Sequence, residues 1–163
     1  MKTLSIEQFN RLKSGAPPKD MEVSVAIEAL CNMIAPDNRV SYTLKIDLPL
    51  TTLNKYTGAN RANKFSGGGI KKQQTNAVMF LAMEQRFKLP EGRFDVHFEW
   101  HKPNNMMDHD NIAFCKKFIL DGIVASKAIK DDSPRFINNF RDTFILDKNK
   151  DYVWCIATFT ITE

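Results

Sequence analysis

The feature that most constrains the fold is a strict alternation of apolar and polar residues in the middle of the chain. From Phe94 to His101, apolar side chains occupy every second position and polar side chains occupy the positions between them. Successive side chains on a β-strand point to opposite faces of its sheet, so this pattern predicts a strand with one face in the core. Residues 41–48 alternate in the same way and predict a second half-buried strand.

The segments around these strands predict helices packed on a sheet. The spacing of apolar residues predicts one helix over residues 70–86 and another over residues 111–125, and residues 136–146 and 152–162 predict two strands joined as a hairpin. Residues 49–69 are polar and aperiodic, which predicts a long loop. We therefore expect an α+β (mixed α/β) fold in which helices pack on a mixed sheet of about four strands.

The N-terminal part of the chain is expected to be a helical extension. Apolar spacing predicts short helices over residues 4–13 and 22–35, and the Ser-Gly-Ala-Pro-Pro segment between them interrupts any longer helix. The predicted organisation is an N-terminal extension over residues 1–40, followed by one domain over residues 41–163. A chain of 163 residues is long enough for one substantial core but not for two full domains.

The composition argues against several classes of protein. Hydrophobic residues make up 43% of the chain and charged residues 26%, as in an ordinary globular protein. The apolar runs are much shorter than a membrane span and the N-terminus lacks an apolar signal segment, so we expect a cytoplasmic protein without a membrane partner. Buried free thiols are favoured over a disulfide framework or a zinc site for the three widely spaced cysteines, Cys31, Cys115 and Cys155.

Charge is distributed unevenly along the chain. Residues 51–90 contain seven cations and one anion, a balance of +6, whereas residues 108–132 contain five aspartates and four lysines, a balance of −1. Cations can hold a phosphodiester backbone and carboxylates can hold a metal ion, so the two regions together are compatible with an enzyme that acts on nucleic acid. A basic stretch by itself is equally typical of a solvated surface.

Three aspartates provide the candidate chemical site. Asp108 and Asp110 lie two residues apart where the chain enters a predicted helix, and Asp132 lies in the turn after that helix. Magnesium prefers oxygen ligands and is commonly held by a few carboxylates, so these side chains are candidate ligands. On a regular helix, Asp110, Lys117 and Asp121 would share the polar face, which would place a lysine close to the acids.

The same residues also have a purely structural interpretation. Asp108, Asp110 and Asn111 are good N-cap residues at a helix start, where the helix dipole favours negative charge. Residues 131–134 have the composition of a turn. The residues by themselves leave both interpretations open, a metal site and a set of caps and turns.

The pattern resembles that of the RusA family of Holliday junction resolvases. The shared features are Asp-x-Asp-Asn, a following helix with a lysine and an Asp-Gly or Asp-Ala step, and then an Asp-Asp pair. This chain carries them at residues 108–112, 117–123 and 130–132. Residues 46–49 and 54–56 resemble the opening strand of the family and its asparagine-containing loop.

The resemblance covers residues 42–162 and implies both a fold and an activity. It implies a magnesium-dependent endodeoxyribonuclease, with manganese as an alternative ion, that acts in DNA recombination and repair. Members of the family are often encoded by phages and prophages. The expected enzyme is a homodimer that recognises four-way (Holliday) junctions by their structure and resolves them by paired, symmetrical nicks.

Carried over by position, the resemblance also implies residue roles. Asp108, Asp110 and Asp132 match the catalytic, metal-binding aspartates, and Lys117 matches the catalytic lysine. In the best-known member of the family the lysine follows the second aspartate by four residues, whereas the interval here is seven; both intervals return to one face of a helix. Lys116 is the nearest alternative.

Phosphate contacts are expected from the basic segment that spans residues 55–72. Three consecutive glycines within it would let the backbone approach phosphate closely, although a mobile surface loop is the alternative. Contacts to phosphate predict low sequence specificity and a strong salt dependence. The candidate DNA-binding residues are Lys55, Arg61, Lys64, Lys71 and Lys72.

Three other functions are compatible with the sequence. The first is a metal-dependent nuclease that cuts flaps or other branched DNA. The second is a protein that recognises branched DNA by its structure without cutting it. The third is an unrelated α+β domain whose aspartates only cap helices and turns.

Overall fold

The alternation near the middle of the chain produces one of the two inner strands of a four-stranded sheet. The computed structural model describes residues 39–63 and 66–162, which belong to one compact unit. The strand predicted from the alternation has its polar positions half-buried and its apolar positions in the core, as expected. The four strands are β1 (Ser41–Ile46), β2 (Phe94–Lys102), β3 (Ile137–Leu146) and β4 (Trp154–Ile161).

Several predictions fall outside the described part of the chain. The helices predicted over residues 4–13 and 22–35 lie there, as do Cys31 and Lys64. The extension over residues 1–40 therefore stays a prediction.

The sheet is mixed, and its strand order is β1-β4-β2-β3. β4 pairs antiparallel with both β1 and β2, and β3 pairs parallel with β2. The predicted hairpin between β3 and β4 is wrong, because β2 lies between them. The seven-residue connection is long enough to pass the end of β2, since strands two positions apart in a sheet are about 10 Å apart.

Side chains at the end of the sheet hold this β3–β4 connection in place. The indole N–H of Trp154 donates to Asp147 Oδ2 at 2.9 Å, and Tyr152 Oη donates to Asp47 Oδ1 at 3.0 Å. Lys150 also donates to Asp47, and this hydrogen bond is the main cause that lowers the pKa of the Asp47 carboxyl to about 2. These hydrogen bonds attach the connection to Asp47, the residue that follows β1.

Within the described residues, four helices complete the α+β class that the sequence predicts, and their bounds differ from the predicted ones. α1 (Leu53–Ala62) occupies the segment predicted as a loop, so that prediction is wrong. α2 (Ser66–Glu84) begins before the predicted start at residue 70. The single helix predicted over residues 111–125 is two helices, α3 (His109–Ala113) and α4 (Lys116–Ala125).

The break between α3 and α4 has a local cause. The amides of Cys115, Lys117 and Phe118 each donate to the carbonyl three residues earlier, at 2.9 to 3.1 Å. These shorter steps tighten the chain as a 3₁₀ turn does. The regular helical spacing that grouped Asp110 with Lys117 and Asp121 therefore does not hold across the break.

Buried polar side chains explain why a polar segment forms α1. The N-cap residue Thr52 makes no side-chain capping hydrogen bond. Instead, the amide of Asn54 donates to Oδ1 of the buried Asn111 at 2.8 Å. The buried Gln74 of α2 accepts a hydrogen bond from the Thr51 amide at 3.1 Å and donates to the Pro49 carbonyl at 3.3 Å. These long-range bonds satisfy backbone groups that water or a local cap would otherwise satisfy.

The core lies between one face of the sheet and the helices α2 and α4. Its largest fully buried side chains include Trp100, Phe94, Phe98 and Phe159. The predicted buried thiols are confirmed for Cys115 and Cys155, and burial raises the pKa of the Cys115 thiol to about 12. Within the described ranges, none of the helices combines the length and the apolar composition that crossing a bilayer requires.

Helices α2 and α4 are in close contact at Gly122. A Cβ atom at this position would lie 2.6 Å from Val78 Cβ and 2.9 Å from the Thr75 carbonyl oxygen. Distances this short cannot be relieved by a side-chain rotation, because one neighbour is backbone. A glycine is therefore required here for α4 to pack against α2.

We predict that Gly122→Ala lowers the free energy of unfolding by about 1–3 kcal/mol, because it overpacks this contact. Gly58→Ala is the matched control: residue 58 lies in α1, and a Cβ atom there would have no neighbour within 4 Å. The control is expected to raise stability by about 0.5–1 kcal/mol, since alanine is the better helix former. Urea unfolding followed by circular dichroism measures both, and equal stability of the two variants would contradict the packing argument.

Candidate functional site

Two predicted metal ligands lie where the chain turns from β2 into α3. Asp108 is the N-cap residue of α3, and Asp110 lies in its first turn. Both side chains are exposed, and neither forms a hydrogen bond or ion pair with another described residue. Asp108 makes no side-chain capping bond, which weakens the interpretation of this aspartate as a helix cap.

The acidic segment is anchored on both sides of Asp110. The imidazole of His109 stacks on Phe144 with 3.9 Å between ring centroids and an interplanar angle of 2°. Nε2 of His109 lies 3.3 Å from Nζ of Lys102, a lysine only 7% exposed. On the other side, Asn111 holds the start of α1, as described above. The two carboxylates therefore project from a backbone segment that is fixed by its neighbours.

A second group of charged side chains joins α4 to the turn that contains Asp132. Lys117 Nζ donates to Asp121 Oδ1 at 2.7 Å and lies 3.7 Å from Asp132 Oδ2. The hydrogen bond to Asp121 is the main cause that raises the pKa of the Lys117 ammonium. Lys117 thus remains a cation at neutral pH, suited to contact with an anion rather than to accepting a proton.

The neighbouring Asp131 has a different role from Asp132. Its Oδ1 accepts a hydrogen bond from the Asp132 amide at 2.9 Å, and a hydrogen bond from Ser133 is the main cause that lowers its pKa. The turn interpretation thus fits Asp131, whereas the carboxylate of Asp132 faces Lys117.

The two candidate lysines, Lys116 and Lys117, make different contacts. Lys116 Nζ donates to Asp142 Oδ2 at 2.6 Å and lies over the rings of Phe98 and Phe140. The other oxygen of Asp142 accepts the indole N–H of the buried Trp100 at 2.8 Å. Lys116 is therefore part of a structural network on the sheet, and Lys117 is the lysine that contacts a predicted catalytic aspartate.

The predicted DNA-binding residues lie mainly on helices. Lys55 and Arg61 are exposed on α1, and Lys71 and Lys72 are exposed on α2. Lys71 Nζ lies 3.2 Å from Asp121 Oδ2, which connects the basic surface of α2 to the acidic group on α4.

An open groove of about 470 Å³ separates α2 from the turn at Asp132. Its charged lining residues are Lys71, Lys72, Asp121 and Asp132. Cations on one side and carboxylates on the other thus face one shared space.

Asp121 is part of the group of charged residues around Lys117. The sequence predicted that it would share a helix face with Lys117, but gave it no role in the candidate site. Its spacing of four residues from Lys117 is the signal that could have assigned it, since such pairs meet on a helix. Its contact with Lys71 carries no such signal, because α2 and α4 are distant in sequence.

Magnesium fits the donor chemistry of Asp108 and Asp110. They offer hard carboxylate oxygens that no described cation neutralises, and magnesium is usually bound through one or two carboxylates with water completing its shell. In residues 39–63 and 66–162, no three side chains of His, Cys, Asp or Glu are grouped closely enough to share one ion. The full ligand set of Asp108, Asp110 and Asp132 therefore stays a prediction.

Comparison of the chain with models of protein families finds no match, and comparison with curated proteins finds none.

Proposed function

We propose that the protein is a magnesium-dependent endodeoxyribonuclease of the RusA type, which resolves four-way DNA junctions by paired nicks. The observation that carries the proposal is the contact of Lys117 with Asp132. The resemblance assigned these two residues to one site, although 15 positions separate them in the sequence. A contact between them is a consequence that the capping interpretation does not require.

The carboxylates supply the second support. Asp108 and Asp110 would hold the magnesium ion, with Asp132 as the third ligand. When bound, magnesium would activate water and offset negative charge on the phosphate under attack. No described cation neutralises either carboxylate, so a bound cation would offset their negative charge.

The basic residues would act on the substrate's backbone. Lys117, held in its charged form by Asp121, would contact the scissile phosphate and stabilise the charge that develops on it. Lys55 and Arg61 on α1, with Lys71 and Lys72 on α2, would contact flanking phosphates. Such contacts position DNA without reading its sequence, which suits a protein that recognises a branched shape.

Resolution of a junction needs two cuts related by symmetry, so the proposed enzyme acts as a homodimer. Each protomer would contribute one carboxylate site and cut one of two opposed strands. A monomer that nicks once would leave the junction unresolved.

The proposed activity is tested with a labelled four-way junction, a matched linear duplex and a flap, each with magnesium or EDTA. We predict paired, magnesium-dependent nicks in the junction alone, and their loss in Asp110→Asn. Cutting of the flap alone would retain the carboxylate site but replace the substrate. Tight junction binding without cutting by the wild-type protein would favour the non-cutting, structure-specific DNA-binding protein.

A pair of adjacent substitutions tests the assignment of the lysine. We predict that Lys117→Met slows junction cleavage by about 100-fold, the loss typical for removal of a transition-state contact. Its melting temperature should change little, because Asp121 keeps Lys71 as a partner at 3.2 Å. Lys116→Met should have the opposite effects. It leaves the half-buried Asp142 without its lysine partner, which should lower the free energy of unfolding by roughly 1–3 kcal/mol. Its cleavage rate should stay within a few-fold of the wild-type rate. If Lys116→Met cleaves slowly at a temperature where it is folded, the catalytic lysine would be Lys116 and not Lys117.

A further inference from the structure

A second cavity beside the candidate site carries an excess of positive charge. Its volume is about 690 Å³. It adjoins the groove of α2 at Val124, a residue that lines both spaces. Its charged lining residues are Arg93, Lys127, Lys130, Arg135 and Glu91.

The cations around this cavity lack acidic partners. None of the four forms an ion pair with another described residue. Nε of Arg93 is buried and has no hydrogen-bond partner among the described residues, so Arg93 retains an unsatisfied donor. Unpaired like charges around one space repel each other, and an anion bound among them would relieve that repulsion.

Lys127 occupies a backbone position where glycine is usual. Its φ of 61° is left-handed, and it follows the C-cap Ser126 of α4. The amide of Lys127 donates to the Val124 carbonyl at 2.9 Å and the amide of Ala128 donates to the Ile123 carbonyl at 3.2 Å, which is the Schellman pattern. A side chain with a Cβ is unfavourable at this position, so the helix end by itself does not explain a lysine there.

The walls of the cavity are held by backbone hydrogen bonds. The amide of Leu89 donates to the Ala128 carbonyl at 3.1 Å, and the amide of Phe94 donates to the Phe136 carbonyl at 2.8 Å. These bonds tie the segment before β2 to both ends of the segment between α4 and β3. Lys127 and Arg135 therefore lie next to residues whose backbone is held by these bonds.

We propose that this cavity is a second phosphate-binding site, which holds the DNA backbone beside the groove of α2. The inference rests on the proposed function. Lys71 and Lys72 line the groove together with Asp132, while Lys130 and Arg135 belong to the same connection between α4 and β3 as Asp132 and line the adjoining cavity. Phosphate-binding groups would thus line two adjoining spaces next to the connection that carries Asp132.

Lys127→Gly tests this inference, because it should weaken junction binding without lowering the stability of the fold. Glycine removes the charge and suits the left-handed backbone, so the melting temperature is expected to stay the same or rise. Binding of a synthetic four-way junction, measured by fluorescence anisotropy in EDTA, should weaken by roughly fivefold. The slope of log affinity against log salt should fall by about 0.9, which is the loss of one phosphate contact.

Arg86→Gly is the matched control. Arg86 has a φ of 50° and ends α2 with the same hydrogen-bond pattern, and it does not line the cavity. The control removes one cation from the same kind of helix end, so it should match Lys127→Gly in net charge and in stability. Its junction affinity and salt slope should equal those of the wild-type protein.

A second variant and a second ligand complete the test. Lys130→Gln with Arg135→Gln should reduce the salt slope by about 1.8, for two further contacts. Wild-type junction affinity retained in both cavity variants would overturn the inference and leave the proposed function intact. A second result would also overturn the inference: inorganic phosphate raises the melting temperature of the wild-type protein but not of Lys127→Gly, while the two bind the junction equally well. The cavity would then bind free phosphate and not DNA. Failure of the wild-type protein to bind the junction would overturn the proposed function and this inference with it.

Discussion

The close packing of α4 against α2 at Gly122 is the contact on which the geometry of the candidate site depends. Because no side chain separates the helices there, Asp121, the residue before the glycine, comes within 3.2 Å of Lys71 on α2. The same carboxylate holds Lys117, which in turn reaches Asp132. A larger residue at position 122 would push apart the two elements that carry these charges.

The acidic segment depends on a different set of contacts, which are polar and buried. Asn111 both belongs to the Asp-x-Asp-Asn pattern and supplies the missing cap of α1, so it ties the candidate ligands to a basic helix. His109, between the two aspartates, is held by Phe144 and by the buried Lys102. Residues between and after the aspartates thus fix the backbone and leave the two carboxylates free for a ligand.

Local periodicity was sufficient to predict the strands and the core. The alternation over β2 indicated its buried face, and apolar spacing located α2 and α4. The errors arose where distant residues determine the structure. α1 forms in a polar segment because Asn111 accepts a hydrogen bond from its first turn and Gln74 holds the backbone just before it. The connection after β3 carries the chain past β2, so β3 and β4 pair with opposite edges of that strand.

One contact of the candidate site joins two residues that the sequence had paired. The family pattern named Lys117 and Asp132, and the structure brings them into contact. The roles of Asp121 toward Lys71 and of Asp142 toward Lys116 depend on pairings between separate elements, which spacing along the chain does not reveal. The cations at Arg93, Lys127, Lys130 and Arg135 were overlooked because net charge counted along the sequence hides a cluster formed in space.

The most direct test of the central claim is a calorimetric titration of the protein with manganese and with magnesium. We predict binding to the wild-type protein, and at least a tenfold loss of affinity in Asp110→Asn and in Asp132→Asn, the minimum expected for removal of a ligand. Asp131→Asn, beside Asp132 but engaged in the turn, should retain wild-type affinity. Unchanged affinity in Asp110→Asn, or an absence of binding by the wild-type protein, would contradict the claim that these aspartates form a metal site.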